Sequence, residues 1–117
     1  MRLLITGSRG FDNRKLMHRV LLEAWDNGYR VLIHGAARGA DRLAAEVGER
    51  IGFEIEAYPV RRQLDGPWPA AGVKRNSRML EESQPHICFA FPLADSRGTW
   101  DMVNKCKAAD VPYVICT

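Results

Sequence analysis

Long apolar runs are missing from this sequence. The opening one, Leu3-Leu4-Ile5, breaks at Gly7, too short for a signal peptide or a membrane span. A cytoplasmic protein with no membrane partner is expected. Cysteine is scarce as well. Cys88, Cys106 and Cys116 form no CxxC pair and match no zinc spacing. Their apolar neighbours predict buried, reduced thiols, and no metal site is expected. His18 on a helix and His86 before a strand add no ligand set, and His34 reads as a structural residue at a strand end. Charge of one sign is also limited. The formal net charge is +3 and no run of five positive residues occurs, which is not the profile of a dedicated DNA binder but suits an anionic small molecule. No loop carries the Walker pattern GxxxxGK(S/T) or the dinucleotide fingerprint GxGxxG. An ATPase and a standard NAD dehydrogenase are therefore disfavoured, and no cofactor is expected.

What remains is an ordinary folding chain. Hydrophobic residues make up 46% and charged residues 26%, which excludes disorder. Its 117 residues fit one domain, residues 1–117. Short apolar runs alternate with helical periods. Leu3-Leu4-Ile5 and Val31-Leu32-Ile33 read as strands buried on both faces. Between them Leu16, Val20, Leu21 and Ala24 recur at helical spacing, with Asp12 or Asn13 as cap and Asn27-Gly28 as terminator. A second helix runs from Gly39 to Ile51 on Leu43, Val47 and Ile51. The alternation in 53–58 predicts a strand with one face nearer solvent.

Residues 59–72 carry Pro59, Pro67 and Pro69 and read as a long loop. A helix over 73–83, a strand over 87–91, a helix over 98–110 and a strand over 112–116 complete the chain. Trp25 and Trp100 fall on helices and are expected to pack. Strands separated by helices predict an α/β fold: a Rossmann-like three-layer sandwich with a mostly parallel five-stranded sheet.

In such a sheet, ligands lie beyond the carboxyl ends of the strands, near the point where strand order reverses. The unusual residues gather there. The first strand runs into Gly7-Ser8-Arg9-Gly10, the second into Gly35-Ala36-Ala37-Arg38-Gly39-Ala40-Asp41, and the fourth into Ser96-Arg97-Gly98-Thr99. Glycines let backbone N–H groups approach a ligand, and helix starts supply unpaired donors for phosphate. Arg9, Arg38 and Arg97 can each make a forked phosphate contact. Three such loops on one sheet edge predict a phosphate or nucleotide site.

The motifs TGSRGF, HGAARGAD, AGVKRNSRML and AFPLADSRGTWDM resemble the YspA-type family of the SLOG superfamily. That group is related to the DNA-processing protein DprA and to the Lonely Guy phosphoribohydrolases. The resemblance spans nearly the whole chain and implies a Rossmann-like fold and a nucleotide-derived ligand, with most YspA-type members proposed as ligand sensors. The Lonely Guy motif RKxxM is similar to Arg75-Asn76-Ser77-Arg78-Met79, with the lysine replaced by Asn76. The motif PGGxGTxxE is similar to the stretch ending Gly98-Thr99-Trp100-Asp101-Met102. Here Met102 stands at the glutamate position, and Ala94-Asp95-Ser96 replaces the double glycine.

N-glycosidic cleavage needs a carboxylate near the oxocarbenium-like centre or its attacking water. Arg75, Asp101 and Asp41 are the catalytic candidates, although Asp101 stands one residue early, about 100° around the helix. The candidate binding residues are Gly7, Ser8, Arg9, Gly35, Arg38, Gly39, Asp41, Arg75, Asn76, Arg97, Gly98 and Thr99. Plainer roles compete with several of these. Asp41 could cap its own helix, Ser8 and Thr99 could be N-caps, and Arg75 and Asn76 could anchor a loop. Trp68 lies in the long loop and could stack on a base or pack that loop down.

The leading expectation is a binding domain for a nucleotide-like small molecule, perceived as a signal. A nucleoside-monophosphate phosphoribohydrolase and a DprA-like binder of single-stranded DNA are the alternatives. Related folds often pair through helices, so a homodimer is an expectation by analogy.

Overall fold

A computed structural model describes residues 1–94 and 96–117. The elements run in chain order as β1 (Arg2–Gly7), α1 (Arg14–Asp26), β2 (Val31–His34), α2 (Ala40–Ile51) and β3 (Glu54–Ala57). There follow α3 (Arg62–Asp65), α4 (Ala71–Ser83), β4 (Ile87–Phe91), α5 (Arg97–Ala108) and β5 (Tyr113–Ile115). The five strands form one sheet in the order β3-β2-β1-β4-β5. Every neighbouring pair is parallel, so the sheet is wholly rather than mostly parallel.

Side chains alternate across the pleat and so divide the core in two. Leu3, Ile5, Leu32 and Phe91 face α1 and α2, where they meet Leu16, Leu21, Ala44 and Val47. Leu4, Ile33 and Cys88 face the other way, onto Met79 of α4 and Met102 and Cys106 of α5. The result is the three-layer Rossmann-like sandwich. Burial on both faces explains why β1 and β2 read as unbroken apolar runs. The partly exposed β3 is explained by its place at the sheet edge.

Local chemistry sets the helix ends. Asn13, not Asp12, caps α1, its Oδ1 accepting from the Leu16 N–H at 3.1 Å. The 59–72 segment differs from the expected loop. It contains the single-turn α3, and α4 begins two residues early at Ala71. A buried ion pair is the reason. Asp65 is 1% exposed and accepts from Arg78 Nε and Nη2 at 3.0 and 2.9 Å and from the Arg61 N–H at 2.8 Å. Arg78 Nη2 also donates to the Pro59 carbonyl at 3.0 Å, which ties both ends of α3 to α4. Trp25 packs edge-on against Phe53 as expected, whereas Trp100 is exposed on the outer side of α5.

Because β2 and β4 flank β1 on opposite sides, the strand order reverses beside β1. The loops after β1 and β4 diverge there, and a cavity opens between them.

Candidate functional site

The cavity measures about 620 Å³, within the range of roughly 300–1,000 Å³ usual for small-molecule sites. Its walls come from the end of β1, the start of α2, the α3–α4 connection, α4 and the start of α5. Of the residues expected to bind ligand, Gly7, Ser8, Arg9, Asp41, Arg75, Asn76, Arg97, Gly98 and Thr99 line it; Gly35, Arg38 and Gly39 do not. Three arginines face one carboxylate, Asp41, among the described lining residues. The site is cationic.

The start of α5 is its most distinctive part. Ser96 is the N-cap, but its Oγ accepts from the Leu93 N–H at 3.0 Å and caps no helix N–H. The first-turn N–H groups are therefore left with the partial positive charge of a helix start. Among the described residues nothing lies within 4 Å of a Cβ built on Gly98, which leaves room there for an incoming group. Thr99 is 2% exposed, lines the cavity, and its Oγ1 meets no hydrogen-bond partner among the described residues. A buried hydroxyl without a partner costs about 1–3 kcal/mol. A phosphate oxygen seated on α5 would supply that partner.

The glycines after β2 serve packing. Gly39 adopts φ +72°, and a Cβ there would come 2.3 Å from the Ser8 carbonyl oxygen and 2.4 Å from that of Arg9. The absence of a side chain lets the two loops touch, and the Ala40 N–H donates to the Ser8 carbonyl at 3.1 Å. Gly35 lies against the Arg75 guanidinium, whose carbon would be 2.6 Å from an added Cβ.

Arg75 stands in the second turn of α4. Its Nη1 donates to the carbonyls of Gly35 and, at 3.2 Å, of Tyr58, and its Nε donates to Asn76 Oδ1 at 3.1 Å. It joins the ends of β2 and β3 and also lines the cavity. Asn76 is 4% exposed and fully engaged: its Nδ2 donates to the Gly98 carbonyl at 3.2 Å and to Asp101 Oδ2 at 3.0 Å. It clamps α4 onto the start of α5. Asp101 lies outside the cavity lining, and its Oδ1 accepts from Lys105 Nζ at 2.6 Å. Met102 is wholly buried in the core. Asp95 lies outside the described residues.

Asp41 does not cap its own helix. It reaches back so that Oδ2 accepts from the N–H groups of Gly35 and Ala37 at 3.0 and 3.2 Å, holding the loop after β2. Burial pushes its carboxyl up to about 6, against the opposing pull of those N–H groups and of Arg75. His34 is structural: its Nδ1 accepts from the Ala36 N–H at 2.9 Å, and burial, with Arg75 beside it, holds its pKa down. Ser8 Oγ accepts from the Gly10 N–H at 3.2 Å. Arg9 and Arg97 line the cavity, and Arg38 is exposed beyond it.

Sequence reasoning missed Thr6 and Ser96, which also line the cavity, and the Asp65–Arg78 pair that fixes α3 to α4 ahead of Trp68.

Residues 1–64, which carry β1 through β3 and the loops after β1 and β2, match the YspA, cpYpsA-related SLOG family. The chain belongs to this family. The gene 61 protein of Mycobacterium phage D29 is 34% identical over 120 residues, covering 97% of this chain and 94% of that protein. The family match ends before Trp68, Arg75, Gly98 and Thr99 and so does not cover the α4 and α5 walls of the cavity. Among the described residues no helix is long and apolar enough to cross a membrane.

Proposed function

We propose that the chain binds a nucleotide or nucleotide-derived phosphate ligand in the cavity beside β1 and acts as a ligand-sensing domain. The observation that carries this reading is Thr99 Oγ1, which is buried with no hydrogen-bond partner among the described residues, at a helix start that lines the cavity and whose N-cap side chain caps no helix N–H. The phosphate accepts from the first-turn N–H groups of α5 and from Thr99, and its charge is balanced by Arg97, with Arg9 adding positive charge at longer range. Arg75 adds positive charge from the α4 wall and keeps the loop after β2 in place.

Binding is favoured over N-glycosidic hydrolysis by the state of the carboxylates. Asp101 is held by Asn76 and Lys105, and the glutamate position of the hydrolytic relatives is a core methionine, Met102. Asp41 remains, and its Oδ2 holds two backbone N–H groups.

The test has two parts. Small molecules released from the heat-denatured protein are identified by mass spectrometry, and the intact protein is incubated with nucleoside monophosphates while free base is followed by chromatography. A co-purifying organic phosphate with no base release is expected. Release of base that disappears in an Arg75→Ala protein would replace sensing by hydrolysis. A stoichiometric occupant without phosphate would overturn the reading altogether.

A further inference from the structure

The cavity is larger and less polar than a phosphate alone requires. Away from α5, the α3–α4 connection contributes Trp68 and Pro69 to its wall and the first turn of α4 contributes Val73. Trp68 is 60% exposed, an unusual state for the largest apolar side chain on a segment secured at both ends. On one side Asp65 is locked to Arg78, and on the other Ala71 is wholly buried at the start of α4. The ring passes above Gly72, where an added Cβ would meet it at 3.4 Å. The connection therefore displays this indole instead of burying it.

Across the mouth stands Arg9, exposed, with its guanidinium carbon 5.8 Å from the centroid of the Trp68 ring. Among the described residues Arg9 has no carboxylate partner. The separation is informative. Two planar groups in direct contact lie at about 3.5–4 Å, and a flat ring inserted between them needs roughly 7 Å. At 5.8 Å from the ring centroid the Arg9 guanidinium stands at the edge of cation–π range, and its flexible, exposed side chain can swing aside to admit a planar ring.

From this geometry we infer that Trp68 and Arg9 form a seat for the aromatic base of the ligand, making the site selective for nucleotides over phosphosugars. The inference rests on the proposed phosphate site and adds the group that reads the other end of the ligand. Trp68 supplies one stacking face and Arg9 the other, a pairing that accepts any base because every base has a π-face.

Affinities of the four common nucleoside monophosphates and of ribose 5-phosphate are measured by calorimetry for the wild-type, Trp68→Ala and Trp68→Phe proteins. Sedimentation and melting temperature are recorded for each. Wild-type protein binds the nucleotides about 5- to 150-fold more tightly than ribose 5-phosphate, the equivalent of about 1–3 kcal/mol of stacking. Trp68→Ala brings nucleotide affinity down toward that of ribose 5-phosphate, while Trp68→Phe keeps most of the preference. Equal affinities in the wild type would overturn the seat and leave the phosphate site standing. An equal loss for all ligands in Trp68→Ala would mean that the ring acts only through loop shape, and a change in mass with the preference intact would make it a subunit contact; either overturns the seat. No binding by any of the five compounds would overturn both readings.

Discussion

Thr99→Val separates the cost of the buried hydroxyl from its use. The two side chains are close in shape, so the change removes one polar atom and leaves packing nearly intact. In the free protein that atom is buried and has no partner among the described residues, and its removal relieves about 1–3 kcal/mol. An unfolding entropy of about 2.1 cal/mol/K per residue gives about 0.25 kcal/mol/K for 117 residues, so each 1 kcal/mol moves Tm by about 4 °C. The free variant should melt about 4–12 °C above wild type. In the complex the same hydroxyl donates to a charged phosphate, a bond of about 1.5–3 kcal/mol, so affinity for ribose 5-phosphate should fall roughly 10- to 150-fold. Scanning calorimetry of the free protein and a binding titration give both numbers. A variant that melts lower than wild type would show that the hydroxyl is satisfied in the free protein. Unchanged affinity would remove it from the site.

Two glycines should respond in opposite ways. Gly39→Ala places a Cβ against the carbonyls of Ser8 and Arg9 at positive φ, costing at least about 2 kcal/mol and 8 °C of Tm. Gly98→Ala meets nothing within 4 Å among the described residues and changes stability by less than about 1 kcal/mol, yet it weakens phosphate binding. Arg78→Ala leaves Asp65 buried without its counter-charge and should destabilise by about 3–5 kcal/mol, read from urea midpoints near pH 7. The pair holds the Asp65 carboxyl down at about 2 against an ordinary 3.8, so its stabilisation is present above pH 4 and lost as pH falls toward 2. Asp41 has the opposite sign. Its folded pKa of about 6 exceeds 3.8, the native state holds more protons between these values, and stability falls by up to about 3 kcal/mol as pH rises from 4 to 6. Asp41→Asn should flatten that slope. An unchanged difference between wild type and variant at pH 4 and pH 7 would refute the assignment.

The strands were legible because a strand buried on both faces must be apolar at successive positions, as at Leu3-Leu4-Ile5 and Val31-Leu32-Ile33. Their parallel order put the glycine- and arginine-bearing loops on one edge, which is why most of the expected residues converge on one cavity. Pairings between distant elements were not legible. Asp65 and Arg78 are separated by a proline-rich stretch that reads as loop, and only the fold reveals that they share a buried bond. Asn76 and Asp101 each look available for a ligand, yet packing of α4 on α5 makes them partners. Gly35 and Gly39 follow a strand as ligand-binding glycines do, but they make room for Arg75 and for the loop after β1. The unpartnered state of Thr99 depends on every neighbour and has no sequence signature.

If the carboxyl edge of β1 and the start of α5 hold a phosphate, titration of the ¹⁵N-labelled protein with a nucleoside monophosphate gives saturable amide shifts that are largest at the N–H groups of Ser8, Arg9, Gly98 and Thr99. Shifts centred instead on the separate groove between Leu80 and Ala109, or none at millimolar ligand, would contradict it.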